Sequence, residues 1–148
     1  MPTSKQQLGI FGETMVVKHC SCPKCKKEKT LKTLPPNFKC ADIVCDFCGY
    51  LGQVKASNVS DINKVPPRIT GAAWGPQSAR MEAGIYFPLF IVLVNKKDYS
   101  IYYLSADLQE KEMFIARKPL SKTAKRAGWQ GFYYDLRKVP KGAVVRLK

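Results

Sequence analysis

Histidine is almost missing from this chain: His19 is the only one. Catalysis built on an imidazole base has a single candidate, and that residue stands where a predicted helix ends. Acidic residues are scarce as well, eleven Asp and Glu against twenty-five Lys and Arg, for a formal net charge of +14. Such an imbalance calls for a polyanionic partner, nucleic acid first and an anionic membrane surface second. Long apolar runs are absent. The longest, residues 85–94, contains Pro88; it is too short to span a bilayer and suits a buried strand. The first seven residues are polar, so no signal peptide is expected, and the expected setting is the cytoplasm, where thiols stay reduced. There is no internal repeat, low-complexity tract or dividing linker. With 148 residues, 45% of them apolar, one domain with a real core is expected over 1–148.

Cysteine is what the chain does have. Cys22-Pro23-Lys24-Cys25 and Cys45-Asp46-Phe47-Cys48 are two Cys-x-x-Cys pairs with nineteen residues between them. Each pair makes a knuckle presenting two thiolates, and two knuckles complete a tetrahedral four-cysteine zinc site. A redox motif is the alternative, but the flanking Lys24, Lys26 and Lys27 fit a zinc ribbon, embedded between Cys20 and Cys48, better. Four thiolates leave no open position for water, so the zinc is expected to be structural. Cys20 and Cys40 are left over, as buried small hydrophobes or, for Cys20, a substitute ligand.

The second knuckle lies in the tip of a predicted hairpin. If the chain folds back at Asp46-Phe47-Cys48-Gly49, four turn-forming residues, Cys45 pairs with Tyr50 and Asp42 lies opposite Gln53. Opposed residues of an antiparallel pair share a face, and Lys55 joins them by the two-residue period. Asp42, Gln53 and Lys55 then converge. A carboxylate, a second oxygen ligand and a lysine can hold a divalent cation and a water beside a phosphate. That is the active-site logic of the PD-(D/E)XK nucleases, which these residues resemble. Asp42, the Gln53 side-chain oxygen and the Val54 carbonyl are the candidate ligands of Mg2+, a hard cation that keeps several waters. Lys55 is the candidate for orienting or deprotonating water, and Glu13 is the candidate extra carboxylate. The competing reading is an edge-strand charge at Asp42 and a snorkelling surface lysine at Lys55.

Residues 4–19 read as a helix, capped by Thr3 or Ser4, with Leu8, Phe11 and Met15 on one face; Gly9 and Gly12 would permit close packing on a sheet. Residues 20–36 read as the first knuckle and a lysine-rich connector. Strands are predicted over 38–45, 50–56, 88–94, 99–104, 113–117, 132–136 and 143–147. Residues 57–67 read as a polar loop. Residues 68–84 are ambiguous, with a turn at Trp74-Gly75-Pro76 and a short helix from Gln77. Residues 118–131 read as a basic loop or brief helix. The fold class is α/β, with a mixed central sheet carrying the site on one rim and the zinc knuckle at the hairpin tip.

A longer pattern gives a family. Arg117-Lys118-Pro119-Leu120, Thr123-Ala124-Lys125-Arg126-Ala127-Gly128-Trp129, Gly131, Asp135-Leu136 and Val139-Pro140 resemble the C-terminal part of the catalytic domain in the DpnI-type, Dam-replacing family of restriction endonucleases. Upstream, Glu13 nine residues before Cys22, the first knuckle, Ala41-Asp42, the second knuckle, and Gln53 and Lys55 follow in the family's order. The resemblance runs from about Ser4 to Val139 and is weakest between Asn58 and Lys97. It implies a PD-(D/E)XK (restriction-endonuclease-like) core with structural zinc and catalytic Mg2+, double-stranded DNA as partner, no nucleotide cofactor, and cleavage that depends on adenine methylation in some members. Gln53 stands where the family has Glu, although Mrr-like PD-(D/E)XK branches cut DNA with Gln-x-Lys. Ala41 replaces the nominal Pro. No segment reads as the winged-helix domain of the methyl-directed enzymes, which leaves specificity to this domain or to a protein partner. Lys118, Lys122, Lys125 and Arg126 are candidate phosphate contacts, Trp129 a packing anchor, and Trp74 and Arg68 candidates to face the groove. Two other readings stand beside the nuclease. One is a DNA-binding module weakened in catalysis by Gln53. The other is an RNA-binding zinc ribbon.

Overall fold

The computed structural model describes residues 3–35, 41–73, 75–116 and 130–148. Helix α1, Ser4–His19, opens on a capping box: the Thr3 hydroxyl accepts from the Gln6 N–H, and the Gln6 side chain accepts in return from the Thr3 N–H. Both exchanges satisfy donors that a helix start leaves unpaired. Strands β1 (Leu31–Thr33), β2 (Ile43–Cys45), β3 (Leu51–Asn58), β4 (Arg68–Ala73), β5 (Leu89–Asn95), β6 (Asp98–Leu104), β7 (Phe114–Ala116), β8 (Gln130–Asp135) and β9 (Val145–Arg146) follow, with helix α2 (Gly75–Glu82) between β4 and β5.

Among the described residues two sheets form where one was expected. The larger runs β1-β2-β3-β5-β6-β9 and the smaller β4-β8-β7. The larger is mixed, as the pattern predicted: β3 and β5 are parallel, while β1, β2, β6 and β9 pair antiparallel with their neighbours. All of Leu89 to Val94 is buried, because both faces of β5 are covered and an unbroken apolar run satisfies both. Phe90, Val92 and Val94 turn to one face with Val54 and Ile101, under Val16 of α1 and the half-buried Leu8, Phe11 and Met15. Leu89, Ile91 and Leu93 turn to the other, against Ile69, Met113, Phe132 and Tyr134 from the small-sheet side. Each such side chain contributes about 1.5–3 kcal/mol when fully buried.

Close approach of α1 to the sheet requires Gly12. A Cβ there would lie 2.9 Å from the Ala56 Cβ and 3.4 Å from Val54 Cγ1, whereas one at Gly9 would meet nothing within 4 Å.

Several boundaries differ from the sequence expectation. β1 lies inside the presumed connector; only Leu31 of its three residues is buried, which leaves a polar pattern. β4 occupies the ambiguous stretch. α2 starts at Gly75 rather than Gln77, with Pro76 in the first turn, where its missing N–H has no helical partner to lose. β3 runs on to Asn58 because it pairs with β5 as far as Val94. Expectations at residues 38–40, Trp74 and 118–129 fall outside the described residues. No helix among the described residues is long and apolar enough to cross a membrane.

Candidate metal centre and carboxylate site

The two knuckles meet. The Sγ atoms of Cys22, Cys25, Cys45 and Cys48 all lie within 4.8 Å of one another, with Cys22 to Cys48 at 3.6 Å and Cys25 to Cys45 at 3.7 Å. A tetrahedral zinc with Zn–S bonds of about 2.3 Å places its sulfurs about 3.8 Å apart, so this donor set fits the ion. Burial pushes the Cys22 thiol up to about 12. Burial also acts on Cys45, but the Thr30 hydroxyl and the Cys48 and Phe47 N–H groups outweigh it and bring that thiol down to about 6. Cys20 is buried beside the cluster without belonging to it, and burial pushes its thiol up to about 11. It is a core residue, not a ligand. His19 closes α1, with Nε2 2.8 Å from the Tyr99 hydroxyl.

The hairpin has the expected register from Ile43 to Cys45. Ile43 opposes Gly52 and Val44 opposes Leu51, while the Cys45 N–H donates to Tyr50 O at 2.8 Å and the Asp42 N–H to Gly52 O at 2.9 Å. The ladder ends at Ile43–Gly52, and the Asp42 N–H reaches the same Gly52 carbonyl, so Asp42 sits just past the end of the pairing, beside β3. Its carboxylate Oδ2 accepts the Val54 N–H at 2.8 Å, which ties it to β3. Backbone N–H and C=O of one strand residue point to the same side, so the Val54 carbonyl also turns toward the Asp42 side. The Gln53 N–H is taken by Pro88 O at 2.9 Å. Its side-chain Oε1 accepts from the Tyr134 hydroxyl at 3.2 Å.

Glu13 joins them from α1. It is half-buried, and burial is the main cause that raises its carboxyl from 4.5 to about 7; the Asp42 charge adds to the rise and Lys55 opposes it. The three ionisable groups are thus in electrostatic reach of one another. Two carboxylates with a lysine alongside are oxygen donors of the kind a hard divalent cation could take. Tyr134 is the residue the sequence did not offer. It is buried, and burial, then the Asp42 charge, hold its hydroxyl well above the usual range. Lys118, Lys122, Lys125, Arg126, Trp129, Trp74 and Cys40 lie outside the described residues. Arg68 stacks its guanidinium 5.5 Å from the Tyr133 ring centroid.

The family model for DpnI, the Dam-replacing family, matches residues 2–148. The chain belongs to this family. Membership in the Dam-replacing family points to a methylation-dependent restriction endonuclease, with DNA as the substrate. The second knuckle and Asp42 share the β2–β3 hairpin, the knuckle at its tip and Asp42 at its base.

Proposed function

We propose that the protein is a Mg2+-dependent endodeoxyribonuclease of PD-(D/E)XK type, a Gln-x-Lys variant, of restriction or defence type and directed to adenine-methylated duplex DNA. The observation that carries the reading is the grouping of Glu13, Asp42 and Lys55, with the Asp42 carboxylate bonded to the Val54 N–H, next to Gln53 on β3. Asp42, Gln53 Oε1, the Val54 carbonyl and Glu13 would hold Mg2+. That ion, when bound, polarises the phosphate and makes a nucleophile of a water. The Asp42–Val54 hydrogen bond fixes the carboxylate against β3, and Tyr134 fixes the Gln53 amide. Lys55 donates to the attacked phosphate and orients the water, whose oxygen bonds to phosphorus as the bond to the leaving sugar oxygen breaks. The neutral Gln53 reduces the negative charge of the site, and Glu13 supplies a second carboxylate beside Asp42. Lys118, Lys122, Lys125 and Arg126 would bind backbone phosphates, and a protein partner is a candidate source of added specificity.

Cleavage of adenine-methylated and unmethylated plasmid with Mg2+ tests this. Cutting confined to methylated DNA is the expected result. Equal cutting of both removes the methyl requirement. Salt-sensitive duplex binding by zinc-loaded protein without hydrolysis favours the second reading, a DNA-binding module weakened by Gln53 and acting with a partner.

A further inference from the structure

We propose that the zinc-knuckle head is a second DNA-backbone site, where lysines of the first knuckle hold phosphates away from the scissile one. This rests on the nuclease reading above. The two knuckles are backbone copies of each other. The Lys26 N–H donates to Cys22 O and the Gly49 N–H to Cys45 O, both at 2.9 Å; the Cys22 N–H donates to Lys27 O at 3.0 Å, as Cys45 does to Tyr50. Lys26 and Gly49 are therefore equivalent positions, and both are left-handed, with φ of 65° and 78°. Glycine takes that conformation without strain and a side chain does not. One knuckle has the unstrained residue. Its copy keeps a lysine. A second left-handed lysine, Lys29 with φ of 61°, follows three positions on.

Lys24, Lys26, Lys27, Lys29 and Lys32 are all exposed, and Glu28 is the one acidic residue among them. Compensation of thiolate charge is the plainer explanation, but zinc with four thiolates carries a net charge of about −2, and five lysines overshoot it. Lys27 Nζ stands 4.0 Å over the Phe47 ring of the other knuckle, and that ring is 63% exposed, so this ammonium is held at the outer surface. Asp42 lies three strand positions from Cys45, roughly 10 Å. About three base-pair steps of one DNA strand cover that length. A duplex seated at Asp42 and running along the hairpin would pass over the head.

The decisive variant is Lys26→Gly/Lys29→Gly, which places the unstrained residue at both positions. Lys96→Gly is the matched control: Lys96 is also left-handed, φ 57°, but sits in the two-residue turn between β5 and β6, at the far end of the sheet. Duplex affinity is measured against salt without Mg2+, with zinc content and Tm on each protein. The double variant is expected to keep zinc and hold or raise its Tm. It should lose about tenfold in affinity at low salt, with the slope of log K on log salt falling by about 1.8. Lys24→Gln, at an ordinary backbone position, should lower the slope by about 0.9. Unchanged slopes in zinc-loaded variants overturn the proposal, as do equal losses in Lys96→Gly or an absence of duplex binding in the wild type. Wild-type protein that shows these slopes but does not cut with Mg2+ overturns the nuclease reading and leaves the head site standing.

Discussion

Glu13 carries the most environment-dependent charge in the candidate site. Its carboxyl is raised to about 7 in the folded chain from 4.5, so the fold favours its protonated form. It therefore lends stability below about pH 4.5 that is lost as pH rises through about 7. In metal-free protein, Glu13→Gln should flatten the decline of Tm across that window, and Asp42→Asn should bring the Glu13 titration down, read by NMR. Because the ion competes with the proton, the Mg2+ needed for cutting should rise as pH falls below about 7. Tyr134→Phe removes the donor to Gln53. It should lower cutting by about tenfold, as loss of an outer partner of a metal ligand does, with little change in zinc content. The hairpin that carries Asp42, Gln53 and Lys55 was legible because strand period and a short turn suffice to place it. Tyr134 was not, since it reaches Gln53 from 81 residues away across two sheets.

Among the elements, α1 was the most readable, and its two central glycines separate propensity from packing. Gly9→Ala should raise stability by about 1 kcal/mol, the helix propensity gain. Gly12→Ala should show no such gain and a net loss of about 1–2 kcal/mol, because its Cβ meets Ala56 at 2.9 Å. Chemical denaturation of both variants checks the pair. β5 and β6 announced themselves through apolar content. β1 and β4 did not: one buries Leu31 alone, and the other carries Gly71, where a Cβ would be 2.8 Å from the Phe132 ring. Strands shaped by what they accommodate leave little periodic signal.

At the scale of the whole molecule, cysteine spacing located the cluster of four thiols from sequence alone, and excess lysine pointed to a polyanionic partner, in keeping with a family that acts on DNA. The second sheet was invisible because its pairings, Arg68 to Asp135 through Ala73 to Gln130, join distant segments. Zinc held by Cys22, Cys25, Cys45 and Cys48 would tie the first knuckle to the hairpin tip and so steady the β2–β3 pairing that ends beside Asp42. Chelating it, or Cys22→Ser, should abolish cutting even with Mg2+ in excess. Zinc affinity should weaken at acid pH as thiolates take up protons. The most direct test of the account is cleavage of methylated duplex DNA by Asp42→Ala and Lys55→Ala proteins whose folding and zinc content match the wild type. Loss of cutting in both, with duplex binding kept, is the predicted result. Cutting that survives in both would place the chemistry elsewhere and contradict the account.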